Sequence, residues 1–117
     1  MFDSPKALGF LNKDVSGVRQ PWDERLIRSA AARLGYDLSK ILVFDAHTQE
    51  WVHRLRVAVT RTGASAVFVP TVEHFDAAVV PTGLVAVVDV ITVEPEETYA
   101  RGGAGEPGHP EAPGARA

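Results

Sequence analysis

The sequence predicts an α/β fold, a three-layer, doubly wound, mainly parallel sheet of about four strands and three helices. Two observations lead there. Apolar runs of strand length alternate with longer segments whose apolar residues recur every three to four positions, and recognisable helix starts and stops separate them. The order reads strand, helix, strand, helix, strand, helix, strand. Alternation of this kind implies right-handed crossovers with helices on both faces of the sheet.

The elements follow in order. Ala7 to Leu11, "ALGFL", is a short apolar run without helical period and forms the first strand. "QPWDERLIRSAAARLGY" then carries Pro21 at a helix start, Asp23 and Glu24 in the first turn, and Gly35 as a stop. Its apolar positions Trp22, Leu26, Ile27, Ala30 and Leu34 are expected to face the core. Lys40 to Phe44, "KILVF", is a continuous, β-branched run of the kind found in strands covered on both faces. Between Glu50 and Thr62, Trp51, Val52, Leu55, Ala58 and Val59 repeat at helical spacing, and Gly63 closes the segment. "SAVFVP" (Ser65 to Pro70) is the third strand, "VEHFDAAV" a short helix, and "LVAVVDVITV" (Leu84 to Val93) a long fourth strand.

The folded unit is therefore expected over residues 1–99. Residues 100–117 are read as a flexible tail, because from Arg101 onward they contain only Gly, Ala, Pro, Glu, His and Arg and offer no large apolar side chain to offset ordering entropy. His109 in that stretch reads as a solvated residue.

Composition narrows the function classes. With 117 residues the chain matches one domain. It has no cysteine, which excludes disulfides, thiolate zinc sites and cysteine nucleophiles, and fits a reducing, cytoplasmic setting. No apolar run approaches the roughly 20 residues of a membrane span, and "MFDSPKALGF" lacks the pattern of a secretory signal, so neither membrane insertion nor export is expected. A net charge of −3 argues against a surface built wholly for nucleic acid.

In a doubly wound sheet, ligands sit beyond the carboxyl ends of the strands. The candidate rim then holds Asn12, Lys13, Asp14 and Ser16 after the first strand, Asp45 and His47 after the second, Thr71, Glu73 and His74 after the third, and Glu94 after the fourth.

Four segments, "ALGFLNKDVSG", "PWDERLIRSAAARLGY", "ILVFDA" and "VFVPTVEHFD", together resemble the N-terminal catalytic domain of the resolvase/invertase serine recombinases in order and spacing. The resemblance implies a resolvase-like (flavodoxin-like) fold. In that family the first strand runs into Gly-Tyr-x-Arg-x-Ser, whose serine attacks a DNA phosphate and whose arginine balances its charge. The matching run is Gly9-Phe10-Leu11-Asn12-Lys13-Asp14. The later Leu-Asp-Arg-Leu-x-Arg motif falls on Val72-Glu73-His74-Phe75-Asp76-Ala77. The departures lie on the functional positions. Phosphoryl transfer needs a nucleophile and a cation cluster around the phosphate oxygens, whereas this rim offers Asn12, Asp14, Glu73 and Asp76. Ser16 becomes the nucleophile only if the loop is shifted by two residues, and the charge conflict persists. The sequence also ends soon after the fourth strand, without the long helix and helix-turn-helix domain of those recombinases, so a minimal, catalytically degenerate relative is the expectation.

Other chemistries have weaker signals. Asp45, His47, Glu73 and His74 match no recognised metal spacing, and no metal or other cofactor is expected. There is no Gly-x-Ser-x-Gly elbow and no glycine-rich phosphate loop. His53, Arg54, Arg56 and Arg61 form a local basic patch read as a solvated helix face, and Trp22 and Trp51 read as packing residues. Two classes survive: a non-catalytic module binding a protein, a nucleic acid or a small ligand, with DNA held at most weakly and without sequence preference, and a small enzyme using the Asp/His/Glu rim.

Overall fold

The computed structural model describes residues 4–103, which form an α/β fold with one five-stranded, mostly parallel sheet. In chain order the elements are β1 (Lys6–Asn12), the single turn α1 (Lys13–Ser16), α2 (Gln20–Arg33), β2 (Asp37–Phe44), α3 (Trp51–Thr62), β3 (Ala66–Val69), the single turn α4 (Thr82–Val85), β4 (Asp89–Thr92) and β5 (Glu97–Tyr99). Across the sheet the order is β2-β1-β3-β4-β5, with only β5 antiparallel.

Strand periodicity sorts the apolar runs between two cores. Leu8 and Phe10 of β1, Val67 and Val69 of β3 and Val90 of β4 join Leu55 and Val59 of α3 and Leu84 and Val85 of α4. Ala7 and Leu11, Ala66 and Phe68, and Ile91 join Ile27, Ala30 and Ala31 of α2 instead. Because both faces are covered, the runs look continuously apolar in sequence.

The α2 side sets Ala7, Ala30, Ala31 and Ala66 among its larger residues, and Gly9 adds a further close approach. A Cβ at Gly9 would lie 2.8 Å from Ile41 Cγ1 and 2.9 Å from Ile27 Cγ2, so a side chain there would force these isoleucines to shift. The same closeness corrects the expected core face of α2. Ile27, Ala30 and Ala31 are buried, but Trp22 is 50% and Leu34 37% exposed. The buried stripe runs Asp23, Ile27, Ala30 and Ala31. Trp22 is one residue, about 100° of helix, away from it.

The second strand is not covered throughout. It forms an edge of the sheet, and Val43 is 38% exposed. Its pairing with β1 jumps from Ala7↔Leu38 to Leu8↔Lys40, leaving Ser39 as a bulge. That extra residue puts Leu38 and Ile41 in the same apolar cluster although they are an odd number of positions apart.

Three further differences concern the last third of the chain. The long fourth strand expected over Leu84–Val93 splits into α4 and the four-residue β4, since Pro81 sets up a helical turn that buries Leu84 and Val85. The short helix expected in "VEHFDAAV" is a single 3₁₀ turn, Val72–His74, followed by a turn with left-handed backbone at Asp76–Ala78. A fifth strand, β5, pairs antiparallel with β4 and buries Tyr99, a three-residue element without an apolar run to announce it. Of the stretch read as a tail, Arg101 donates its backbone N–H to Asp89 Oδ1 at 2.7 Å and Gly102 donates to the Val85 carbonyl at 2.7 Å. Residues 104–117 lie outside those described. Among the described residues no helix is long and apolar enough to cross a membrane.

Candidate functional site at the carboxyl ends of the strands

In the order 2-1-3-4-5 the connections reverse direction between β1 and β3, and open parallel sheets bind ligands beyond the strand ends at such a point. Asn12 ends β1 there. Its side-chain Oδ1 accepts the Asp14 N–H at 2.9 Å and so caps α1. The backbone N–H of Asn12 donates to Nδ1 of His74, 2.9 Å away in the turn after β3.

Most rim side chains are tied to neighbouring backbone. Asp14 Oδ2 accepts the Ala46 N–H at 2.7 Å, joining the loop after β1 to the loop after β2. Asp45 Oδ1 accepts the His47 N–H at 2.8 Å, while Thr48 Oγ1 accepts the Asp45 N–H at 3.0 Å. The His47 N–H holds the Asp45 carboxyl below its usual range; desolvation opposes this, and Thr48, Lys13 and the His47 imidazole reinforce it. Thr71 Oγ1 accepts the Glu73 N–H at 3.2 Å. Lys13, His47, Glu73 and Glu94 are exposed.

Ser16 and His74 are not surface groups at all. Ser16 is 5% exposed and donates to Asp23 Oδ2 at 2.6 Å. Asp23 is also 5% exposed, with Arg19 Nη2 3.7 Å from its other oxygen and His74 Nε2 4.0 Å from Oδ2. Burial pushes the His74 pKa below the ordinary histidine value, against the pull of Asp23 and Glu73. The imidazole is therefore neutral at pH 7, with the acceptor nitrogen facing Asn12.

Asp23 is the residue that sequence reading misses. An acid in the first turn of a helix is ordinarily a solvated dipole partner, and only the fold shows that Ser16 and His74 converge on it. The three groups do not form a hydrolase triad. In a triad the hydroxyl donates to imidazole and the carboxylate stands behind the ring, whereas here the hydroxyl donates its hydrogen bond directly to the carboxylate.

Between the loops lies a cleft of about 110 Å³, lined by Phe10, Phe44 and Trp51 and by Asn12, Asp45, Thr48, His74 and Asp76. Phe10 stacks on Trp51 at 5.1 Å and on Phe75 at 5.5 Å between ring centroids, and Phe44 meets Phe10 edge-on. The indole N–H of Trp51 donates to Asp76 Oδ2 at 3.3 Å. Asp76 is aimed by a turn whose next residues, Ala77 and Ala78, both hold left-handed backbone with φ of 56° and 54°. Such conformations cost non-glycine residues free energy and mark a turn imposed by its surroundings. Among the described residues no three His, Asp or Glu side chains converge as a metal-ligating group.

No family model, curated protein or solved structure matches this chain.

Proposed function

We propose that the chain is a non-catalytic, resolvase-like α/β binding module that uses the rim at the carboxyl ends of β1 to β3 to hold a protein group or a small ligand. One observation carries this reading: the rim groups best placed to act as nucleophile or base, Ser16, Asp14 and His74, are engaged in building it. Ser16 is buried against Asp23, the Nδ1 of His74 is held by the Asn12 N–H, and Asp14, in the position matching the family's nucleophile, anchors Ala46. A nucleophile needs an accessible oxygen, an adjacent base and cations where phosphate charge develops. Here the hydroxyl is covered and the surrounding charge is negative. The flavodoxin-like strand order supports the doubly wound, three-layer part of the reading.

Covalent trapping on supercoiled or gapped DNA tests the proposal. The natural chain is assayed beside a variant carrying Asn12→Arg, Asp14→Ser and Ala77→Arg, which leaves buried His74 in place. No protein–DNA adduct is expected from the natural chain, and duplex DNA should bind no tighter than weak non-specific complexes, about 10⁻⁴ to 10⁻⁶ M at physiological salt. An adduct from the natural chain that disappears on Ser16→Ala overturns the proposal. An adduct gained by the substituted variant alone ties the fold to a recombinase-like ancestor.

A further inference from the structure

We infer that the cleft between Trp51 and the loops after β1, β2 and β3 binds a small organic cation, a guanidinium or alkylammonium group. The inference rests on the binding-module reading and names its ligand class. The cleft combines aromatic walls with two carboxylates, Asp45 and Asp76, and no lysine or arginine lines it. Aromatic rings carry a quadrupole that attracts cations, and carboxylates supply the charge that fixes their position.

The hydrogen bonds leave room for such a guest. Asp45 uses Oδ1 for the His47 N–H, and Asp76 uses Oδ2 for the Trp51 indole. Among the described residues, Asp45 Oδ2 and Asp76 Oδ1 receive no donor, although each carboxylate oxygen can accept two. Asp45 is held ionised by the backbone N–H of His47. The remaining polar lining is neutral: Thr48 already serves the Asp45 backbone, and His74 is an uncharged acceptor for Asn12. Size agrees with the charge. About 110 Å³ suits a single small group, well below the roughly 300–1,000 Å³ of pockets that enclose nucleotides or drug-sized ligands. Where the resembled recombinases gather arginines around a phosphate, this cleft has the opposite polarity, and an anion entering it would meet two carboxylates and no lining lysine or arginine.

The test is a titration of the full chain with methylguanidinium chloride, followed by amide and indole NMR, with the Trp51 indole signal assigned by Trp22→Phe. Saturable shifts are expected at the Trp51 indole and at the amides of Asn12 and Ala46, with no saturable change in sodium chloride of equal ionic strength. Asp45→Asn with Asp76→Asn keeps both internal acceptors and removes both charges, and should weaken binding at least tenfold. Acetyl-Gly-Arg-Gly-amide binding more tightly than methylguanidinium identifies a partner protein's arginine as the source; equal or weaker binding identifies a free small cation. Non-saturable shifts, saturation that survives the double substitution, or saturable binding of inorganic phosphate at the same signals overturns the inference. Its failure is distinct from failure of the non-catalytic reading, which a Ser16-dependent DNA adduct decides whatever the cleft binds.

Discussion

The backbone N–H of Asn12 donates to Nδ1 of His74 across 2.9 Å, tying the end of β1 to the turn after β3. This bond requires an unprotonated Nδ1, and it makes the rim depend on the charge state of one buried imidazole.

Stability should therefore fall on mild acidification. Burial lowers the folded-state pKa of His74 below the unfolded value of about 6.5. Between the two values the unfolded chain binds more protons, so stability rises with pH there and is lost as pH falls from about 6.5 toward the folded value, levelling off below it. His74→Asn retains an acceptor and cannot titrate. Urea denaturation at pH 7.5, 6.5 and 5.5 should show a flatter profile for this variant than for the natural chain; parallel profiles would exclude His74 as the cause. Asp45 acts in a separate, more acidic window, since its stabilisation is present above the ordinary carboxylate value and is lost as pH falls from there through its lowered folded value.

Ser16→Ala should destabilise the fold by about 1–3 kcal/mol, because it leaves a buried carboxylate without its 2.6 Å donor. A solvated loop serine would change stability by about 0.5 kcal/mol or less. Lys13→Ala, in the same loop but exposed, provides that comparison. Equal denaturation midpoints for the two variants would refute the buried-pair assignment.

Gly9→Ala adds a methyl group where Ile41 and Ile27 atoms stand 2.8 and 2.9 Å away. Overpacking of this kind costs about 1–3 kcal/mol. Thermal denaturation should show a lower midpoint for Gly9→Ala, and the double variant with Ile27→Ala, which removes the Cγ2 methyl at 2.9 Å, should lose less than the sum of the singles.

The two tryptophans should differ in how much they matter. Trp51→Ala removes a ring stacked on Phe10 and Phe75 and should cost about 3 kcal/mol, the low end for aromatic truncation because Trp51 is only partly buried. Trp22 is 50% exposed with the Arg25 guanidinium over its ring at 5.7 Å, so Trp22→Ala should cost clearly less, about 0.5–1 kcal/mol. Chemical denaturation of both variants decides between these expectations.

Local chemistry made part of this molecule legible from sequence. Pro21 and Gly63 bracket helices because a proline suits a first turn and a glycine the left-handed cap, φ 70° at Gly63. The apolar runs of β1, β2 and β3 are equally plain, and with them the parallel sheet that places Asn12 at the end of β1 and Asp45 and Glu73 beyond the ends of β2 and β3. What the sequence could not carry is which side chains turn inward. Trp22 and Ile27 look equally apolar, yet only Ile27 faces the sheet, because the approach over Gly9 selects the stripe with Ala30 and Ala31. Ser16, Asp23 and His74 read as ordinary loop or helix-end polar residues, and only the tertiary structure removes all three from water and sets them around one carboxylate. Secondary structure follows from periodicities within a few residues, whereas burial of a polar group depends on partners such as Asn12 and His74, 62 residues apart in the chain, and no local pattern encodes that distance.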